Sequence, residues 1–144
     1  MAAGNFTLYD NAKLLLLNGS LNMASATITA VLLGAGYTPA ASHSTWADVS
    51  ANEIADSGYV EQAVSGQTVT LASGTVTVDS ADISFGTSVT LTAKYLALVL
   101  GTAGSRSSTD KLIGYCDLNS GGGTVSSSAG AFSVNTPNGL FTAA

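Results

Sequence analysis

The feature that most constrains the fold of this chain is a succession of short alternating segments separated by turn-forming residues. Polar and apolar residues alternate in Thr68–Leu71 and again in Thr75–Asp79, so this pair predicts a β-hairpin. Further segments are also typical of strands: Thr27–Leu33, Ala81–Phe85, Val89–Leu100, Lys111–Leu118, Ala131–Asn135 and Leu140–Thr142. About eight short strands, spaced roughly 8–12 residues apart, indicate an antiparallel β-sandwich or barrel.

Two segments depart from that pattern. Tyr9–Leu17 is rich in helix formers and is followed by Gly19, which predicts one short N-terminal helix. Its leucines cover more than one face, so this helix must pack on something. Asn119–Gly130 is low in complexity and is expected to be a mobile loop or a flexible connection. The sequence therefore predicts a single all-β domain over residues 1–144.

The charge pattern excludes several classes of partner. Charged residues make up 9% of the chain, against roughly 25% in ordinary globular proteins. The net charge is −5, and the four basic residues are scattered along the sequence. Binding to a phosphate backbone or an anionic membrane needs clustered cations. We therefore expect no direct partner among nucleic acids or membranes.

Candidates for catalysis or metal binding are few. His43 is the one histidine and Cys116 the one cysteine, so an intrachain disulfide is excluded and a zinc site is disfavoured. Cys116 is expected to be a buried strand residue, with a reactive thiol or an intersubunit disulfide as the alternative. We expect no catalytic residue, no cofactor, no metal and no small-molecule substrate.

The acidic residues are interpreted as surface groups. Asp79 and Asp82 flank a turn and are expected to be solvated, although a calcium site remains an alternative. Four other carboxylates cluster in sequence and are expected to form an acidic, solvated loop surface: Asp48, Glu53, Asp56 and Glu61.

The aromatic residues leave three interpretations open. Trp46, with Tyr37, Tyr59, Tyr95 and Tyr115, could belong to the core, to a protein interface or to a sugar-stacking platform. The core is the simplest interpretation for Trp46.

The order of several segments resembles a family of small phage virion proteins. The matching stretches cover most of the chain: Leu14–Asn22, Thr27–Leu33, His43–Tyr59, Val78–Phe85, Ala93–Leu100 and Leu112–Leu118. The resemblance implies a jelly-roll-like β domain, the cement or decoration protein of a podophage capsid. Such a protein binds the outer face of an HK97-like shell and bridges neighbouring capsomers, often as a dimer.

Several expectations follow from this resemblance. The partners would be the major capsid protein and a second copy of the chain, and the location would be the outer capsid surface after synthesis in the host cytoplasm. The resemblance carries over no contact residues; apart from it, we name as interface candidates Trp46, Tyr37, Tyr59, Leu96 and Leu98. A tail or fibre adaptor of a virion and a carbohydrate-binding module are the alternative functions.

Overall fold

A computed structural model describes residues 6–144, which contain one α-helix and twelve β-strands. All strand pairs among these residues are antiparallel. The elements are β1 (Thr7–Leu8), α1 (Asp10–Leu17), β2 (Ile28–Leu33), β3 (Gln62–Ala63), β4 (Thr68–Ala72), β5 (Thr75–Asp79), β6 (Ile83–Ser84), β7 (Val89–Ala93), β8 (Tyr95–Leu100), β9 (Leu112–Asp117), β10 (Val125–Gly130), β11 (Ser133–Val134) and β12 (Phe141–Ala143). The predicted all-β class and the single N-terminal helix are confirmed.

The strands form one large sheet and three smaller ones. The large sheet has the order β1-β9-β8-β2-β3, and the smaller ones are β10-β7, β11-β6 and β12-β5-β4. Twelve strands exceed the predicted eight because β1 and β3 have only two residues each, Val89–Leu100 forms two strands, and β10 lies in a segment predicted to be a loop. Two residues are too few to show an alternation in the sequence.

The main core lies on one face of the five-stranded sheet. Side chains of that sheet, such as Leu96 and Leu98, share this core with Val78, Leu91 and Val134 from the smaller sheets. Burial of such apolar side chains is the main stabilising contribution to a fold of this kind. The smaller sheets and the large one therefore enclose a common apolar interior.

A second core covers the opposite face of the same sheet. Val31 of β2 and Val99 of β8 pack there with Tyr37, Trp46 and Val49 of the irregular segment between β2 and β3. Residues of β2 and β8 are consequently apolar on both sides. This irregular segment supplies most of the cover on that face.

The predicted strand Val89–Leu100 is two strands. It divides at Lys94, so that β7 pairs with β10 whereas β8 pairs with β2 and β9. The Lys94 backbone N–H donates to Leu33 O at 2.9 Å, and its Nζ lies 2.8 Å from Asp117 Oδ2. These contacts fix the point at which the chain passes from one sheet to another.

Half of the segment that was expected to be mobile or flexible is a strand. Val125–Gly130 forms β10 and pairs with β7. Hydroxyl groups supplement the pairing, because Ser127 Oγ donates to Val89 O at 2.9 Å and Ala129 N donates to Thr90 Oγ1 at 2.9 Å. Apart from Val125, this serine-rich strand lacks the β-branched residues by which strands are usually predicted.

Candidate functional site

The residues expected at an interface lie mainly in the two cores. Leu96 and Leu98 have no exposed surface, while Tyr37 is 3% exposed and Trp46 is 7% exposed. Tyr59 is half-buried, and its hydroxyl donates to Glu53 Oε1 at 2.8 Å. Four of the five side chains therefore offer a partner almost no surface. Aromatic and apolar residue types mark cores and interfaces alike, so the sequence did not separate these two roles.

Tyrosines and the single histidine form a cluster over the second core. The Tyr9 and Tyr37 hydroxyl groups lie 2.7 Å apart, and the Tyr37 hydroxyl lies 3.0 Å from His43 Nδ1. The rings of Tyr95 and Tyr115 pack edge-on against Tyr37. Burial raises the pKa of Tyr9 and of Tyr37. The phenols are therefore neutral at pH 7, and they link β1 and β9 to the segment that covers this face.

That cluster also limits the use of the aromatic residues for sugar stacking. A sugar needs an open ring face, and the rings of Trp46 and Tyr37 are buried. Tyr95 and Tyr115 are half-buried within the cluster. The aromatic residues act mainly in packing and do not form the open platform that the sequence had left as an alternative.

Glu61, one of the four carboxylates expected on a solvated surface, belongs to a largely buried network. Arg106, whose side chain is 8% exposed, lies with its Nε 3.4 Å from Glu61 Oε2 and its Nη1 3.5 Å from Asp110 Oδ2. Its Nη2 also donates to Thr102 O at 2.7 Å and to Thr29 Oγ1 at 3.2 Å. This guanidinium thus ties the loop between β8 and β9 to β2.

The other carboxylates near this network also have defined partners. Glu53 is half-buried, and burial raises its pKa, whereas the hydrogen bond from Tyr59 opposes that increase. Asp56 Oδ2 accepts the Thr92 N–H at 2.6 Å. Asp48, which stays exposed, accepts N–H groups of residues 44 and 45, and these bonds lower its pKa. The expected solvated surface is therefore corrected: all four carboxylates make structural hydrogen bonds or ion pairs, and among them Asp48 alone stays exposed.

The turn carboxylates Asp79 and Asp82 meet at Thr136. The Thr136 N–H donates to Asp82 Oδ1 at 3.2 Å, and its hydroxyl donates to Asp79 Oδ1 at 3.3 Å. Within residues 6–144, no three His, Cys, Asp or Glu side chains are grouped so that they could hold a metal ion. This pair serves to attach the segment after β11 to the turn between β5 and β6.

Cys116 lies in the main core, as predicted. It is a free thiol with 1% exposure, and burial raises its pKa to about 12. A buried thiol that is protonated at pH 7 is a poor nucleophile. The alternatives of a reactive thiol and of an intersubunit disulfide both require an accessibility that this position lacks.

The outer face of α1 carries exposed leucines. Leu14 is 60% exposed and Leu17 is 89% exposed. Residues three apart lie on the same face of a helix, whereas Ala12, Leu15 and Leu16 face the main core. The sequence pattern of leucines on more than one face therefore corresponds to one buried face and one open apolar face.

A second open apolar surface lies on the hairpin formed by β4 and β5. Val69 is 46% exposed and Leu71 is 72% exposed. A groove of about 450 Å³ runs between this hairpin and the end of α1, with Leu16, Met23 and Val76 among its lining residues. The alternation in the sequence predicted the hairpin, but it gave no sign that Val69 and Leu71 stay uncovered by residues 6–144.

No family model, curated protein or solved structure matches this chain. Among residues 6–144, no helix has the length and apolar character needed to cross a membrane.

Proposed function

We propose that this chain is a structural protein of a phage virion that binds the outer surface of an HK97-like capsid. In this role it contacts the major capsid protein and bridges neighbouring capsomers, pairs of copies act together, and the domain is a jelly-roll β-sandwich. Synthesis takes place in the host cytoplasm, and the protein acts on the virion.

The observation that carries this proposal is the contrast between a covered interior and two open apolar surfaces. Leu14 and Leu17 form one surface, and Val69 and Leu71 form the other. Contiguous exposed apolar groups on a soluble chain are typical of protein interaction sites. A cement protein needs at least two such surfaces, because it must hold two neighbours at once.

The low charge density supports the same role. The side chains with potential chemistry are engaged in structural contacts, namely His43 with Tyr37, Arg106 with Glu61, and Cys116 in the core. Surface fit is then the main means by which the chain can act. Because binding to the assembled shell favours that state by mass action, many copies together would stabilise it.

Shell binding tests the proposal directly. Purified chain is added to expanded, DNA-free cognate shells that lack it, and bound protein is measured after sedimentation. We expect saturable binding and a higher temperature of shell disruption. Absence of binding, or binding without stabilisation, would contradict the proposal.

A matched pair of variants locates the contact. We expect the double variant Leu14→Gln, Leu17→Gln to bind shells at least about tenfold more weakly, since burial of each leucine contributes roughly 1.5–3 kcal/mol. Val60→Gln is the control, because Val60 is 62% exposed but lies outside both surfaces. If both variants lose the same amount of shell binding, α1 is not the contact with the shell.

The same surfaces would also suit a tail or fibre adaptor. Copy number on the particle separates the two roles, because cement binds throughout the shell whereas an adaptor occupies a single vertex. Binding confined to one vertex in particle images would favour the adaptor.

A further inference from the structure

Strand β4 is an unprotected sheet edge. It is the last strand of the sheet β12-β5-β4, and all five of its residues are exposed. Natural edge strands usually carry a charge, a proline or a bulge that prevents pairing with another chain. Ser65–Val78 contains no charged residue and no proline, and the register of β4 with β5 runs without a bulge.

The two faces of this hairpin differ in chemistry. Val69 pairs with Val78 and Leu71 with Val76, so these side chains lie on one face. The opposite face carries threonines and Ala72, with Thr70 paired to Thr77, and it ends at Asp79 of β5, which pairs with Thr68. A strand added at β4 in register would meet an apolar row on one face and a hydroxyl row on the other.

The turn geometry shows which backbone groups point outward. Ser73 and Gly74 form the two-residue turn, with φ of 50° and 80°. The pair beside such a turn exchanges hydrogen bonds, and hydrogen-bonded pairs then alternate along the ladder. The backbone N–H and C=O groups of Val69 and Leu71 therefore point away from β5, toward the open edge.

We propose that β4 binds β4 of a second copy of this chain in antiparallel register centred on Thr70. In that register Val69 of one copy lies opposite Leu71 of the other, and the two exchange the outward hydrogen bonds. The Thr70 side chains face each other across the two-fold axis. The strand is thus self-complementary, as a symmetric dimer interface requires.

The lack of charged side chains along this edge makes it a favourable place for two copies to meet. Two chains of net charge −5 repel each other. The stretch Ser65–Val78 lets the backbones approach without bringing carboxylates together. Because salt screens the remaining repulsion, the dimer should become tighter as salt is added.

This inference rests on the proposed function, in which pairs of copies act together on the capsid. It names β4 as the surface through which the two copies bind each other. Its test is carried out in solution without shells. Loss of dimerisation therefore contradicts the β4 contact alone, whereas loss of shell binding contradicts the virion role.

Sedimentation velocity over a range of concentrations and salt is the first measurement. We expect a reversible monomer–dimer equilibrium that shifts to dimer at higher salt. We expect Leu71→Lys to weaken dimerisation at least about tenfold. Val60→Lys is the matched control and should dimerise as the parent does, since Val60 is 62% exposed and lies outside the hairpin.

A pair of variants tests the register itself. Val69→Glu and Leu71→Lys place opposite charges across the Thr70-centred ladder when the two variants are mixed. We expect the mixture to form heterodimers although each variant alone is mainly monomeric, and circular dichroism should show that both remain folded. A parent chain that is monomeric at every concentration and salt, a mixture that fails to pair, or equal losses in Leu71→Lys and Val60→Lys would overturn the inference.

Discussion

The five-stranded sheet and the β4–β5 hairpin are built from similar residues but have opposite environments. In β2 all six residues are buried, whereas in β4 all five are exposed. Both strands combine aliphatic residues with threonine, although β2 has one threonine and β4 has two. The difference arises from what the rest of the chain places over them.

The large sheet has two covers and the hairpin has almost none. The smaller sheets pack on one face of β2 and β8, and the irregular segment with Tyr37 and Trp46 packs on the other. Only the end of the hairpin near Val78 reaches the main core. Buried contacts, and with them stability, are therefore concentrated in the large sheet, while most of the hairpin remains exposed.

The largest expected difference between the two regions is in the rate of thiol labelling. Cys116 in β9 is 1% exposed and has a pKa of about 12, so iodoacetamide should react with it only when the chain unfolds. Leu71→Cys in a Cys116→Ala background places a thiol on the hairpin. We expect the hairpin thiol to react more than about 1,000-fold faster, as an unfolding free energy of about 5 kcal/mol implies. Comparable labelling rates would show that the large sheet opens locally.

Truncating one leucine in each region should lower the free energy of unfolding by different amounts. Leu98→Ala removes a fully buried side chain from β8, and we expect it to lower the free energy of unfolding by about 2–5 kcal/mol. Leu71→Ala removes a side chain that is 72% exposed, and the expected change is within about 0.5 kcal/mol. Urea denaturation of dilute protein measures both. A similar loss in both variants would mean that the hairpin contributes to the core more than its exposure indicates.

Local patterns were enough to predict the hairpin, the helix and the burial of Cys116. Each depends on neighbours in sequence, such as the alternation of Thr68–Leu71 with the turn at Ser73 and Gly74. The break at Lys94 was missed because long-range pairing decides it, with β7 joining β10 and β8 joining β2.

The candidate surfaces show the same limit. The leucines of α1 led to the expectation that the helix packs on something. Leu15 and Leu16 do pack against the main core, whereas Leu14 and Leu17 are exposed, which the sequence did not predict. Trp46 lies in the second core, as its simplest interpretation predicted, and Tyr37, which was left open between core and interface, lies there too. The sequence identified residue types able to bind a partner, but only the packing of distant segments determines which of them remain accessible.

The smallest expected effect is the contribution of the half-buried Glu53 to the pH dependence of stability. Burial raises its pKa above the ordinary value of 4.5, and the Coulombic effect of Glu61 acts in the same direction, while the Tyr59 hydroxyl and Arg106 oppose it. The folded chain therefore binds a proton more readily than the unfolded chain does. Its contribution to stability is complete below pH 4.5 and is lost as the pH rises through the folded pKa.

Glu53→Gln removes this titration while its amide oxygen can still accept the Tyr59 hydroxyl, which lies 2.8 Å from Glu53 Oε1. Between about pH 4 and about pH 7, the free energy of unfolding of the variant should fall less with rising pH than that of the parent. Asp48→Asn is the control, because the lowered pKa of Asp48 confines its titration below its ordinary 3.8. Urea denaturation across this range provides the measurement. If the free energy of unfolding of Glu53→Gln changes with pH as that of the parent does, Glu53 is solvated like Asp48. The side chain that accepts the Tyr59 hydroxyl would then not be buried.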